Sequence, residues 1–214
     1  ADYVRLYRFV RLREKLGWTI EDTDLALRAL FPKMPENPDN GFREFLPRLA
    51  LALRVRDRLR LKGSTGLVRL FALWADIDTY GPASLYRQLF LPASVQAPAE
   101  VFNHIISGSL VASTETFEVQ RTALVEAFNL ADEDFEPLLR LAQLAPDTSL
   151  SLSGISKAFR YHLVGQALKI KPAELATLLK LFHITDLFEY PASHRYDDFR
   201  LPALLRFADD LTVL

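Results

Sequence analysis

Apolar residues fall at Val4, Tyr7, Leu12 and Leu16, close to helical spacing, while Arg5, Arg8, Arg11 and Lys15 take the other positions. The pattern predicts an amphipathic helix that ends near Leu16-Gly17. Thr19 stands three residues before Asp22, the spacing of a capping box, so a second helix is expected from there to about Leu30. The two form a helical hairpin with a tight connection. Pro32, Pro35 and Pro38, followed by Gly41, predict a surface loop over residues 32–41 in which no helix persists.

The same hairpin can be slid along the chain. Taking Leu16 as reference, registers at Leu59, Phe128 and Leu168 place apolar residues at four shared offsets. These are Leu12, Val55, Leu124 and Val164; Leu16, Leu59, Phe128 and Leu168; Trp18, Leu61, Leu130 and Ile170; and Leu27, Leu70, Leu139 and Leu179, the last four expected to be buried at helix-helix contacts. The offset of Asp22 is matched by Asp134 and Glu174, acids suited to the first turn of a second helix. The second copy carries Thr65 there, beside Ser64. Two of the spacings suit helical-pair repeats, and the longer one, from Leu59 to Phe128, implies an insertion near residues 76–113. Within it Ser84-Leu85-Tyr86-Arg87-Gln88-Leu89-Phe90-Leu91 reads as a short helix. Leu204, Leu205, Phe207, Ala208 and Leu211 open a last amphipathic helix with no cap, so the parent chain is expected to continue past residue 214. The expected architecture is all-α: degenerate helical hairpins over residues 1–214, packed as one bundle or irregular solenoid.

Composition narrows the function classes. The chain has 214 residues, half of them apolar, which is enough for a substantial core. Its net charge of −1, from 26 basic and 27 acidic residues without blocks of either sign, names no nucleic-acid partner. Cysteine is absent, which excludes disulfides, thiolate metal sites and a cysteine nucleophile. The apolar runs fall short of the ~20 residues that a spanning helix needs. The first residues show no signal-peptide pattern.

Candidate chemistry is sparse. Asp76-Ile77-Asp78-Thr79 follows an apolar run, as the nucleophile loop of haloacid-dehalogenase-type phosphotransferases does, where two carboxylates and magnesium share the work. That chemistry needs a buried strand to deliver the loop, whereas Leu67, Leu70, Phe71 and Trp74 are spaced as a helix. Asp76 or Asp78 is therefore expected to serve as a turn and cap residue after a helix. His104, His162, His183 and His194 form no metal-binding pair at helical spacing. Gly63-Ser64-Thr65-Gly66 and Ser107-Gly108-Ser109 read as helix punctuation, not as a phosphate loop or nucleophile elbow. The 15 Phe and two Trp read as core. No catalytic, cofactor-binding or metal-binding residue is assigned, and the chain is not expected to be an enzyme.

Several segments together resemble the helical shell of the A subunit of bacterial Tc insecticidal toxin complexes, the TcA-like and virulence-plasmid A proteins. They are Tyr7-Arg8-Phe9-Val10-Arg11-Leu12, Gly17-Trp18-Thr19-Ile20-Glu21-Asp22-Thr23-Asp24-Leu25-Ala26-Leu27, Leu73-Trp74-Ala75-Asp76-Ile77-Asp78-Thr79-Tyr80-Gly81, Ser84-Leu85-Tyr86-Arg87-Gln88-Leu89-Phe90-Leu91 and the pair between Leu168 and Leu179. The third and fourth are the most specific. The resemblance implies a piece of shell from a secreted, homopentameric translocation subunit. Its partners would be other parts of the same subunit, neighbouring protomers and, at some surfaces, a host receptor. The channel helices, receptor-binding domains and partner-docking region of the family are not in this stretch. A generic helical-repeat scaffold that binds another protein is the alternative; a concave face with exposed aromatics would favour it, and clustered carboxylates with a metal would favour an enzyme.

Overall fold

The computed structural model describes residues 2–31, 38–63, 65–92, 100–103, 105–106, 109–110, 115–188 and 203–211. Among them the helices are α1 Asp2–Leu16, α2 Ile20–Leu30, α3 Pro38–Arg58, α4 Gly66–Phe71, α5 Leu85–Phe90, α6 Arg121–Phe128, α7 Phe135–Leu141, α8 Leu152–Leu168, α9 Pro172–Leu181 and α10 Ala203–Asp210. Among the described residues, β-pairing is confined to a two-residue antiparallel ladder, β1 Ile105–Ile106 with β2 Ser109–Leu110, and a single bridge between Thr116 and Ser149. The fold is all-α, as the 3.6-residue periodicity predicts.

The four hairpin registers coincide with four helix endings of one kind. The residue after each reference position is left-handed: Gly17 (φ +66°), Arg60 (+54°), Asn129 (+50°) and Lys169 (+59°). The next amide then donates to the carbonyl five residues back. Trp18 bonds Arg13 at 3.2 Å, Leu61 bonds Arg56 at 2.9 Å, Leu130 bonds Val125 at 3.0 Å and Ile170 bonds Gly165 at 2.9 Å. This is the Schellman ending, which satisfies orphan carbonyls of the last turn and brings an apolar residue after the helix against one in its final turns. The offsets Leu12/Trp18, Val55/Leu61, Leu124/Leu130 and Val164/Ile170 are those apolar pairs, and every member belongs to the core or packs on it. α7 and α9 close in the same way through Gln143 (+56°) and His183 (+54°), with Leu139 and Leu179 as the carbonyl acceptors.

The helix starts are less uniform. Thr19 caps α2 as its spacing predicts, accepting from the Asp22 amide at 3.0 Å and donating to the Asp22 carboxylate at 2.9 Å. Glu174 reaches back to the Lys171 amide at 3.1 Å, with Pro172 at the first helical position of α9. Asp134 lies in a 3-10 turn, Asp132–Asp134, that leads into α7. Thr65 precedes α4 without a side-chain capping bond. There Gly66 decides the turn instead, because a Cβ on it would sit 2.5 Å from the Leu61 carbonyl oxygen.

Two expectations fail. The proline-rich loop does not run to Gly41: residues 32–37 lie outside the described residues, but Pro38, Asp39, Asn40 and Gly41 form the first turn of α3. Pro38 is tolerated there because the first helical amides have no intrahelical partner. Leu27 differs from its three counterparts: Leu70, Leu139 and Leu179 are buried, whereas Leu27 is only half-buried on a groove beside α1.

α2 packs on α1, α3 and α4, and α10 returns to pack on α3, where Arg58 meets Asp209 at 2.9 Å. α7, α8 and α9 pack together in the second half, and α5 packs on α6. The described part of the insertion contributes to the core. Tyr86, Phe90 and Phe102 are buried, Phe90 stacks on Phe102 at 4.4 Å, and Phe90, Phe128 and Phe159 continue the aromatic contacts into α8. The Tyr86 hydroxyl donates to the Phe102 carbonyl at 3.2 Å, and burial pushes its phenol well above the ordinary tyrosine range.

Candidate functional site

The segment of greatest chemical interest leaves α4 at Ala72 and runs through turns and irregular structure to α5. It threads between the two halves. The Ala72 carbonyl accepts from the Arg160 Nε of α8 at 3.0 Å, and Asp76 lies 3.6 Å from another nitrogen of the same guanidinium. Ile77 is buried, and its amide donates to the Ser156 hydroxyl at 2.9 Å; that hydroxyl donates in turn to the Leu152 carbonyl at 2.6 Å. One carboxylate oxygen of Asp78 lies 3.4 Å from Arg28 of α2 and 3.4 Å from the Tyr80 amide. The Asp78 carbonyl accepts from the Tyr86 amide of α5 at 3.0 Å. Gly81 (φ +81°) then turns the chain.

A turn and cap role is expected of Asp76 or Asp78. Asp78 partly fills that role through Tyr80, but the main function of both acids is to join elements: Asp76 to α8, Asp78 to α2. Arg160 is mostly buried, and desolvation lowers its pKa from the ordinary arginine value, with Asp76 and Asp186 opposing that effect. Among the described residues no three His, Cys, Asp or Glu side chains are grouped so as to hold a metal ion.

The two described histidines have separate surroundings. His162, on α8, stacks on Phe128 at 5.4 Å and neighbours Phe159; burial, aided by the Arg69 charge, brings its pKa down to about 4, so the ring is neutral at pH 7. His183 is the left-handed residue that ends α9, while His104 and His194 lie outside the described residues. Ser109 is in the short ladder, not at a helix end, which corrects the reading of Ser107-Gly108-Ser109 for its described residue. Sequence reasoning missed Ser156 and Arg160, because nothing in their spacing marks them; they acquire meaning only once α8 lies against the segment from Ala72 to Asp78.

No protein-family model, curated protein or solved structure matches this chain.

Proposed function

We propose that the chain is a structural piece of the helical shell of a TcA-like toxin subunit, whose work is to hold shape around a translocation channel and to present assembly surfaces. The observation that carries this reading is the use made of Trp74-Ala75-Asp76-Ile77-Asp78-Thr79-Tyr80-Gly81, the most specific part of the resemblance. Its backbone and both of its acids are spent on Ser156, Arg160, Arg28 and Tyr86. A segment so engaged fixes three helices relative to one another, as a shell requires. On this reading the protein is not an enzyme, is secreted with its complex, and meets neighbouring protomers in a homopentamer.

The test begins with the reading frame around the chain. The shell reading expects a subunit of thousands of residues whose purified product appears as a fivefold bell by electron microscopy; a free-standing product of this length, or one of another symmetry, overturns it. Calorimetric titration of magnesium, with a phosphatase assay on wild type and the Asp76→Asn, Asp78→Asn double variant, addresses the competing enzyme reading. Specific binding with turnover lost in the variant would replace the shell by phosphotransfer chemistry.

A further inference from the structure

Among the described helices α1 is the least covered. None of its side chains from Tyr3 to Leu16 is fully buried, and Tyr3, Leu6 and Tyr7 are 88%, 60% and 59% exposed. Beside it α1, α2 and α3 enclose an apolar groove of about 810 Å³, within the roughly 300–1,000 Å³ of typical ligand clefts. Leu6, Phe9, Leu27, Phe31 and Phe42 line the groove, and Arg5, Arg8 and Arg28 complete its wall. No acid is among the described lining residues. Arg8 pairs with Asp39 and lies 5.6 Å over the Phe42 ring, and Arg28 pairs with Asp24 and Asp78. Those contacts orient the guanidinium groups, and each carries five N–H donors, more than its acid contacts consume.

From this combination we propose that the groove between α1, α2 and α3 is a docking site for an amphipathic helix of a protein partner, with apolar anchors on one face and acidic residues on its flanks. The occupant follows from shape and charge. A concave apolar groove receives anchors at i, i+3, i+4 and i+7 of a helix, whereas a flat bilayer surface does not fill a concavity. Carboxylates on the helix flanks complement Arg5, Arg8 and Arg28. The charge is local: α1 carries Arg5, Arg8, Arg11, Arg13 and Lys15 against Asp2 and Glu14, within a chain of net charge −1. Helix capture at this groove does not depend on the shell role.

The probe is a fluorescently labelled synthetic helix bearing Leu and Phe at the four anchor positions and Glu on both flanks, titrated with the full chain and followed by polarisation. A twin carrying Lys for every Glu is titrated in parallel. Saturable binding of the acidic helix is expected, at least tenfold tighter than the twin and weakened by salt. Leu6→Glu and Arg5→Glu, both at exposed positions that leave the core intact, should each weaken it at least tenfold, while Leu181→Glu on α9 leaves it unchanged. Equal affinity for the two peptides, or indifference to Leu6→Glu, overturns the proposal. So does concentration-dependent self-association that Leu6→Glu abolishes, which would assign the groove to a second copy. Co-sedimentation with anionic vesicles that Leu6→Glu abolishes, without peptide binding, would assign the face to a membrane and overturn it equally.

Discussion

The α1/α2 and α8/α9 hairpins end their first helices with the same hydrogen bond, the same left-handed residue and apolar residues at the same offsets, yet they live in different surroundings. α8 buries Leu152, Ile155, Ala158, Phe159, Leu163 and Val164, together with Gly154, Ser156 and Gly165. α1 buries no side chain from Tyr3 to Leu16. The difference shows that the repeated pattern encodes how a helix stops and turns, a local event, and not how deeply the hairpin is packed. α8 lies against α7, α9 and the segment from Ala72 to Asp78, so its faces are covered. α1 has α2 beside it, meets α3 through Arg8, and borders an open groove at Arg5, Leu6, Arg8 and Phe9.

The largest effect expected from this contrast is at the repeated leucine. Leu70→Ala and Leu139→Ala should each cost about 2 to 5 kcal/mol, because both side chains are fully enclosed, whereas Leu27→Ala should cost ~1 kcal/mol or less. Urea melts of the three variants check this; equal losses at all three would mean that α1/α2 is packed as tightly as the rest.

A second difference is electrostatic. His162 of α8 has its pKa lowered to about 4 by burial, against an ordinary value of 6.5 in the unfolded chain. The unfolded state therefore binds a proton first as pH falls, so this contribution to stability is full above about pH 6.5 and is lost progressively toward pH 4, on the order of a few kcal/mol in all. His162→Phe should remove that slope. Denaturant melts at pH 7, 5.5 and 4.5 compare the two proteins, and parallel pH profiles would show that the ring is not buried as a neutral group.

The join between the halves can be cut at one oxygen. Ser156→Ala leaves the buried Ile77 amide without its acceptor and should cost about 1 to 3 kcal/mol. Amide exchange at Ile77 should accelerate more than exchange within α1. Protection unchanged at Ile77 would mean that another acceptor takes over.

The smallest effects lie at the shared endings themselves. Arg60→Gly and Lys169→Gly relieve a left-handed backbone that β-carbons disfavour and should stabilise by roughly 0.5 to 1 kcal/mol. Gly17→Ala should cost about as much in the opposite direction. A thermal-melt series in which all three changes have the same sign would show that the endings are not equivalent.

Much of the fold was legible because helix periodicity, capping pairs such as Thr19/Asp22 and apolar positions around a helix end are written within short windows of sequence, and short-range sterics and hydrogen bonding enforce them wherever they occur. The hairpins, the helix at Leu85–Phe90 and the all-α class follow from such windows. The start of α3 was misread because Pro38 looks the same as a breaker and as a first helical residue; the chain that follows decides. By itself the sequence determined where helices end and which faces are apolar. Only the tertiary structure decided that Leu27 borders a groove while Leu70 is sealed, and that Asp76 and Asp78 meet Arg160 and Arg28 instead of a metal. Those outcomes depend on which surfaces far apart in the chain come together. Ile77 and Ser156 stand 79 residues apart, and no local pattern specifies their meeting.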